Sequence, residues 1–180
     1  MKGIVFTEFL EMVESGFGLA TADEMIESSA SSTGGAYTSV GTYDHQELLR
    51  MVLALSAATK KAPAELVKAF GMHLFGRFVT VFPAFFVNVK SAFDFLASID
   101  GHIHVEVRKL YPDAELPRFE CKLLSPRRME MVYTSKRPLA DLAEGLIVGC
   151  AEHFGQPMAI ERQILSEGQN NVVRFQLTQV

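Results

Sequence analysis

The first part of the chain carries apolar residues at the spacing of amphipathic helices. Residues 2–16 repeat apolar positions three or four residues apart, and glycines end the pattern. A second short helix is predicted over residues 19–30. The Ser-, Gly- and Thr-rich residues 28–41 predict the main loop.

Three further helices are predicted between residues 44 and 111. Asp44, followed three residues later by Glu47, has the pattern of a capping box and starts a helix that runs to about Lys60. Similar patterns cover about 63–79, where a proline suits the first turn, and about 90–111, which stops at a proline.

The pattern then changes to short alternating runs. Residues 119–124 and 129–134 alternate around Ser-Pro and predict a hairpin, and 139–154 predicts a helix. Residues 158–165 and 172–177 alternate again, joined by a turn-rich link over residues 167–171.

The order of these elements indicates an α+β fold. A helical N-terminal part should pack on a C-terminal part that holds a small antiparallel sheet of about four strands and helices. We expect one domain over residues 1–180, divided into a helical part (1–62) and a part with the sheet (63–180).

Composition narrows the classes of function. A formal net charge of −4 argues against a nucleic-acid partner. Cys121 and Cys150 are too few for a disulfide framework or a cysteine-rich zinc site, which favours a reducing, cytoplasmic setting. The most apolar run, 78–89, is shorter than a membrane span and contains Pro83.

Two histidines lie on the predicted 90–111 helix. At about 100° per residue, His102 and His104 are about 200° apart and face opposite ways. His104 lies beside the apolar stripe, and His102 lies with the polar residues. An alternative interpretation of His104 is a half-buried histidine paired with Asp100. The stripe consists of Leu96, Ile99, Ile103, Val107 and Leu110.

A second group of polar residues follows the predicted hairpin. On an extended chain, Tyr133, Ser135 and Arg137 point to one side and would present two hydroxyls and a guanidinium to a carboxylate or phosphate. The alternative is a strand end with ordinary exposed polar residues.

These two features lie within a sequence that resembles the heme–nitric-oxide/oxygen-binding (H-NOX) family over nearly the whole chain. The likeness is to the bacterial stand-alone type, related to the heme domain of soluble guanylate cyclase. It is carried by Met1-Lys2-Gly3, Ala69-Phe70-Gly71, Ile103-His104-Val105-Glu106-Val107, Lys109-Leu110-Tyr111-Pro112, Tyr133-x-Ser135-x-Arg137 and Gly145-Leu146-Ile147-x-Gly149.

The resemblance implies a heme b cofactor and assigns its contacts. The iron ligand falls on His104, the propionate clamp on Tyr133, Ser135 and Arg137, and a proline that presses on the porphyrin on Pro117. Candidate apolar walls, which ordinary core packing would explain equally well, are Val5, Phe9, Leu74, Phe78, Leu142 and Leu146.

The resemblance also implies a gas and a partner. Relatives that hold oxygen stably carry a tyrosine where this chain has Leu142, so we expect binding of nitric oxide and carbon monoxide without a stable oxygen complex. Nitric oxide would release His104 and free its helix. A separate histidine kinase or cyclic-di-GMP enzyme would then respond.

Two alternatives belong to other classes of function. His73 and Arg77 lie four residues apart on a predicted helix and would supply a base and a cation to a peroxidase-like heme enzyme. The other alternative is a heme-free adaptor domain.

Overall fold

The computed structural model describes residues 1–167 and 169–180, so Gly168, in the predicted 167–171 link, lies outside the described residues. The helices are α1 (Gly3–Phe17), α2 (Leu19–Ser28), α3 (His45–Thr59), α4 (Pro63–Val81), α5 (Ala92–Ser98), α6 (His104–Leu110) and α7 (Ala140–His153). The strands are β1 (Arg118–Ser125), β2 (Arg128–Ser135), β3 (Met158–Ser166) and β4 (Asn171–Gln179).

The four strands form one antiparallel sheet in the order β1-β2-β4-β3. The predicted α+β fold with a small antiparallel sheet is therefore confirmed. No helix among the described residues is both long and apolar enough to cross a membrane.

The predicted 90–111 helix is two α-helices joined by a π-helical turn over Ile99–Ile103. The backbone N–H of His104 bonds to the carbonyl of Ile99, five residues earlier. Such a turn holds one residue more than an α-helical turn. Residues after the turn therefore lie on a different face, relative to residues before it, than a uniform helical period predicts.

The start of α3 departs from a capping box. Asp44 accepts a bond from the backbone N–H of Gln46, as an N-cap should. The carboxylate of Glu47 does not return to the helix start. It accepts bonds from Ser31, Ser32 and Tyr37 instead, and so fastens the Ser-rich loop to α3.

Two buried clusters meet within α4. Leu74 belongs to the cluster formed with α1, α2 and α3, and Phe75 to the cluster formed with α5, α7 and the sheet. Gly71 of α4 and Gly145 of α7 let the two helices approach closely, since a Cβ at either position would meet the other helix's backbone. The first half of α4 thus contacts both the helical part and α7, and the predicted division at residues 62–63 stays a prediction.

Candidate functional site

A cavity of about 270 Å³ opens between the two clusters. Its volume is near the lower end of the range typical of small-molecule sites, roughly 300–1,000 Å³. Helices α1, α4 and α7 contribute only apolar side chains to its lining. These are Ile4, Val5, Leu74, Phe75, Phe78, Leu142, Ala143, Leu146 and Ile147.

His104, the first residue of α6, also lines this cavity and is 9% exposed. Its Nδ1 lies 3.1 Å from Oδ1 of Asp100, and the same oxygen accepts a 3.1 Å bond from the backbone N–H of Phe119. The π-helical turn connects Asp100 to His104, and Phe119 lies on β1. Asp100 therefore holds the imidazole and the sheet edge together.

The environment of His104 favours a neutral imidazole with a defined tautomer. Burial lowers the pKa of His104, and the hydrogen bond and charge of Asp100 oppose that shift in part. Because a carboxylate only accepts, Nδ1 carries the proton and donates it to Asp100. The lone pair of Nε2 is then available to a metal, an arrangement common for ligating histidines.

Tyr133, Ser135 and Arg137 all line the cavity, but not as three side chains of one strand. Strand β2 ends at Ser135, and the chain turns so that the Ser135 hydroxyl accepts from the backbone N–H of Arg137 at 3.0 Å. The Tyr133 hydroxyl donates to the Arg137 carbonyl at 3.2 Å, and burial raises the pKa of Tyr133. The two hydroxyls thus fix the turn that aims the guanidinium.

The segment over residues 111–117, which we name the strap, connects α6 to β1 and closes one side of the cavity. Asp113 is tied to Lys2 at 3.1 Å and to Thr42 at 2.9 Å. Arg137 binds Glu115 through its backbone carbonyl and its carboxylate. The strap residues that line the cavity are Tyr111, Ala114, Glu115, Leu116 and Pro117.

One predicted wall residue lies elsewhere. Phe9 is fully buried against Phe70, with ring centroids 5.1 Å apart, and is not among the described residues that line the cavity. It lies on α1 one turn beyond Val5, which does line the cavity, so its side chain reaches the helical cluster instead. The other ten candidate residues all line the cavity.

Sequence reasoning missed a cluster of aromatic residues in the lining, namely Phe75, Phe82, Phe85, Phe86 and Phe95. On the His104 side of the cavity, the apolar stripe of the predicted 90–111 helix did indicate lining residues. Four of its members, Leu96, Ile99, Ile103 and Val107, line the cavity, while Leu110 is 59% exposed.

His73 and Arg77 do not reach the cavity. Arg77 donates a 2.7 Å bond to Glu8 on α1, and Nε2 of His73 lies 3.7 Å from the same carboxylate. Neither residue is among those lining the cavity. The base and cation required by the peroxidase-like alternative therefore connect α4 to α1.

The lining fits a flat, apolar molecule with acidic groups at one edge and a metal at its centre. It offers one buried imidazole, one inward guanidinium and apolar walls. Within residues 1–167 and 169–180, no group of three or more His, Cys, Asp or Glu side chains could hold a metal ion.

Comparison with known proteins is consistent with this lining. A family model described as Haem-NO-binding matches residues 2–162. No curated protein matches the chain.

Solved structures of H-NOX proteins cover nearly the whole chain. The H-NOX protein of K. algicida, solved in the Fe(II) unliganded state, is 38% identical over 100% of this chain and 97% of its own, with a TM-score of 0.92. That of Shewanella woodyi, solved in the Fe(II)CO state with IWP-051 bound, is 43% identical over 100% and 95%, at 0.83. That of S. oneidensis, solved in the Fe(II)NO state, is 28% identical over 99% of each chain, at 0.86. This chain therefore belongs to the Haem-NO-binding (H-NOX) family of heme-binding gas-sensor domains.

Proposed function

We propose that the chain is a single sensor domain that holds heme b in the cavity, binds nitric oxide there and regulates a separate signalling protein. The observation that carries this proposal is the buried imidazole of His104, which Asp100 holds at Nδ1 and which lines a cavity with apolar walls and a polar rim. When bound, ferrous heme supplies the iron to which diatomic gases attach. His104 is the proposed protein ligand.

The polar rim supports the orientation of the cofactor. Arg137 is 16% exposed and can pair with a propionate through its planar fork. The Ser135 hydroxyl accepts from a backbone N–H and so keeps its own hydrogen for a propionate oxygen. Pro117, at the end of the strap, is proposed to press on the edge of the ring.

The apolar wall supports the choice of gas. Bound oxygen gains from a hydrogen-bond donor, which contributes roughly 1–3 kcal/mol at a buried site. Helices α1, α4 and α7 offer only apolar side chains, and Leu142 lines the cavity at the position where, by the resemblance, oxygen-holding relatives carry a tyrosine. Nitric oxide and carbon monoxide do not need that donor. The carbon-monoxide-bound form of the Shewanella woodyi relative and the nitric-oxide-bound form of the S. oneidensis relative are consistent with this choice.

The proposed switch uses the His104 link. His104 would hold the heme, and binding of nitric oxide by the heme would release His104 and free α6 from the cofactor. The strap follows α6 directly and is tied to Lys2 and Arg137, so movement of α6 would reach the start of α1. A partner that distinguishes the two arrangements completes the signal.

We propose a histidine kinase or a cyclic-di-GMP enzyme as that partner, and the cytoplasm as the location. The described cysteines, Cys121 and Cys150, are both unpaired, which is consistent with a reducing compartment.

The experiment is an absorption spectrum of protein expressed with ample heme supply. The proposal predicts about one heme per chain, a ferrous protein that forms no lasting oxygen complex in air, and clear spectral changes with nitric oxide and carbon monoxide. A colourless protein would favour a heme-free adaptor, and a long-lived oxygen complex would contradict the assignment of Leu142.

The clamp is tested by retention of heme. Replacing Tyr133, Ser135 and Arg137 together by alanine removes the guanidinium and the turn that aims it. Heme should then transfer to excess apomyoglobin faster, with Arg137→Ala the most affected of the single variants. Equal transfer rates from wild type and the triple variant would refute the clamp.

A further inference from the structure

The rim of the cavity already holds a carboxylate on the cation that an acidic ligand would need. Nη2 of Arg137 lies 2.6 Å from Oε2 of Glu115, and Nη1 lies 2.8 Å from the Glu115 backbone carbonyl. Arg137 is 16% exposed and Glu115 is 72% exposed, so the carboxylate reaches an inner guanidinium from the solvent side. An acidic group arriving from the cavity would meet an Arg137 that is already paired.

The two contacts from Glu115 have different consequences. The backbone carbonyl of residue 115 holds the Arg137 side chain whichever residue stands at that position of the strap. The carboxylate occupies one edge of the guanidinium fork, which a propionate needs for a bidentate pair. Charge competition therefore depends on the side chain of Glu115 alone, while the position of Arg137 does not.

We propose that Glu115 is a built-in competitor for the carboxylate-binding position on Arg137. In the heme-free chain its carboxylate occupies that position. In the loaded chain it yields the position to a propionate and returns to water, where its exposure makes the displacement inexpensive. Glu115 thus lowers the affinity for heme, an inference that rests on the proposed function.

The strap offers a matched control. Asp113 ties the strap to Lys2 and Thr42 and does not contact Arg137. Asp113→Asn should loosen the strap and speed loading and loss of heme together, with little change in affinity. Glu120→Gln removes the same charge from β1, where Glu120 pairs with the exposed Arg118.

The test measures heme loading and heme transfer to excess apomyoglobin for wild type, Glu115→Gln, Asp113→Asn and Glu120→Gln. Glu115→Gln should hold heme about two- to fivefold more tightly than wild type, the range for an exposed ion pair. Glu120→Gln should match wild type. Urea unfolding of the heme-free forms should show Glu115→Gln no more stable than wild type, because the gain belongs to the loaded form.

Three results would contradict the competition between Glu115 and a propionate. If Glu115→Gln holds heme as Glu120→Gln does, or less tightly, Glu115 does not compete and the inference is wrong. If Asp113→Asn gains affinity equally, the effect belongs to strap opening and not to Arg137. If wild type takes up no heme, the proposed function fails and the inference falls with it.

Discussion

His73 and His104 each lie beside a carboxylate of the interior, and of these two only His104 lines the cavity. His104 donates a hydrogen bond from Nδ1 to Asp100, which leaves Nε2 available to a metal. His73 has Nε2 3.7 Å from Glu8, too far for a hydrogen bond, and Glu8 is already paired with Arg77. The carboxylate at His104 binds one ring nitrogen and leaves the other available to a ligand, which is the arrangement of a ligating histidine, whereas Glu8 does neither for His73.

The largest expected effect comes from removing the imidazole of His104, with His73 and His102 as controls. His104→Gly should lose most of its heme, because no second imidazole is found in the described lining. Added imidazole should restore the spectrum. His73→Ala and His102→Ala should retain wild-type heme content and spectrum. Loss of heme from His102→Ala with normal ligation in His104→Gly would reverse the assignment.

Asp100 and Glu8 should differ in the same way as their histidines, because only Asp100 should affect heme binding. Asp100→Asn removes the charge that fixes the tautomer of His104, and loss of such a partner lowers metal-site affinity by roughly tenfold or more. Heme transfer rates and the iron–histidine stretching frequency measure this effect. Glu8→Gln should change neither. A shifted iron–histidine frequency in Glu8→Gln would show that the α1–α4 pair also acts on the ligand.

Glu8 should instead act on stability. Glu8 is buried, and its replacement by glutamine leaves Arg77 without its closest carboxylate. Because Arg77 stays partly exposed, we expect the melting temperature to fall by only roughly 3 °C. Calorimetry of the heme-free protein measures this, with the exposed Glu11→Gln as control. An unchanged melting temperature would show that the pair is not structural.

Glu47 differs from Asp100 and Glu8 because it is buried among neutral donors. Hydrogen bonds from Ser32, Tyr37 and Ser31 hold the pKa of Glu47 below its ordinary range, against the effect of burial. A lowered folded-state pKa contributes stability that is present above the ordinary carboxyl range and lost as the pH falls through the folded pKa. Glu47→Gln should thus be less stable than wild type near pH 7, by about 1 kcal/mol.

The difference between wild type and Glu47→Gln should shrink in acid, below the ordinary carboxyl range. Urea unfolding at pH 7 and at acid pH measures both values. A stability difference that stays constant with pH would mean that the charge of Glu47 does not hold the loop.

The sequence predicted the elements of the fold because each depends on a local pattern. The period of α1, α3, α4 and α7, the alternation of the four strands and the cap at Asp44 all come from neighbouring residues. Local pattern failed where one residue changes the register: the π-helical turn before His104 has no signature in a helical period.

Most residues of the candidate site could also be predicted from the sequence. Periodicity favoured His104, and the resemblance assigned the clamp. All six predicted wall residues but Phe9 line the cavity, and burial of Phe9 in the helical cluster gives the same apolar signal as a wall. The ties of the strap were not predicted. Lys2 and Asp113 lie 111 residues apart, and Arg137 and Glu115 lie 22 apart, so their contacts follow from the fold and not from spacing.

Spectroscopy of the ferrous protein with nitric oxide tests most directly whether nitric oxide releases His104. At room temperature we predict five-coordinate iron that has lost the histidine, while carbon monoxide leaves the histidine bound. His104→Gly supplied with imidazole serves as the reference for a ligand that is not attached to α6. Purely six-coordinate iron with His104 still bound under nitric oxide would contradict the account, even if the protein held heme in this cavity.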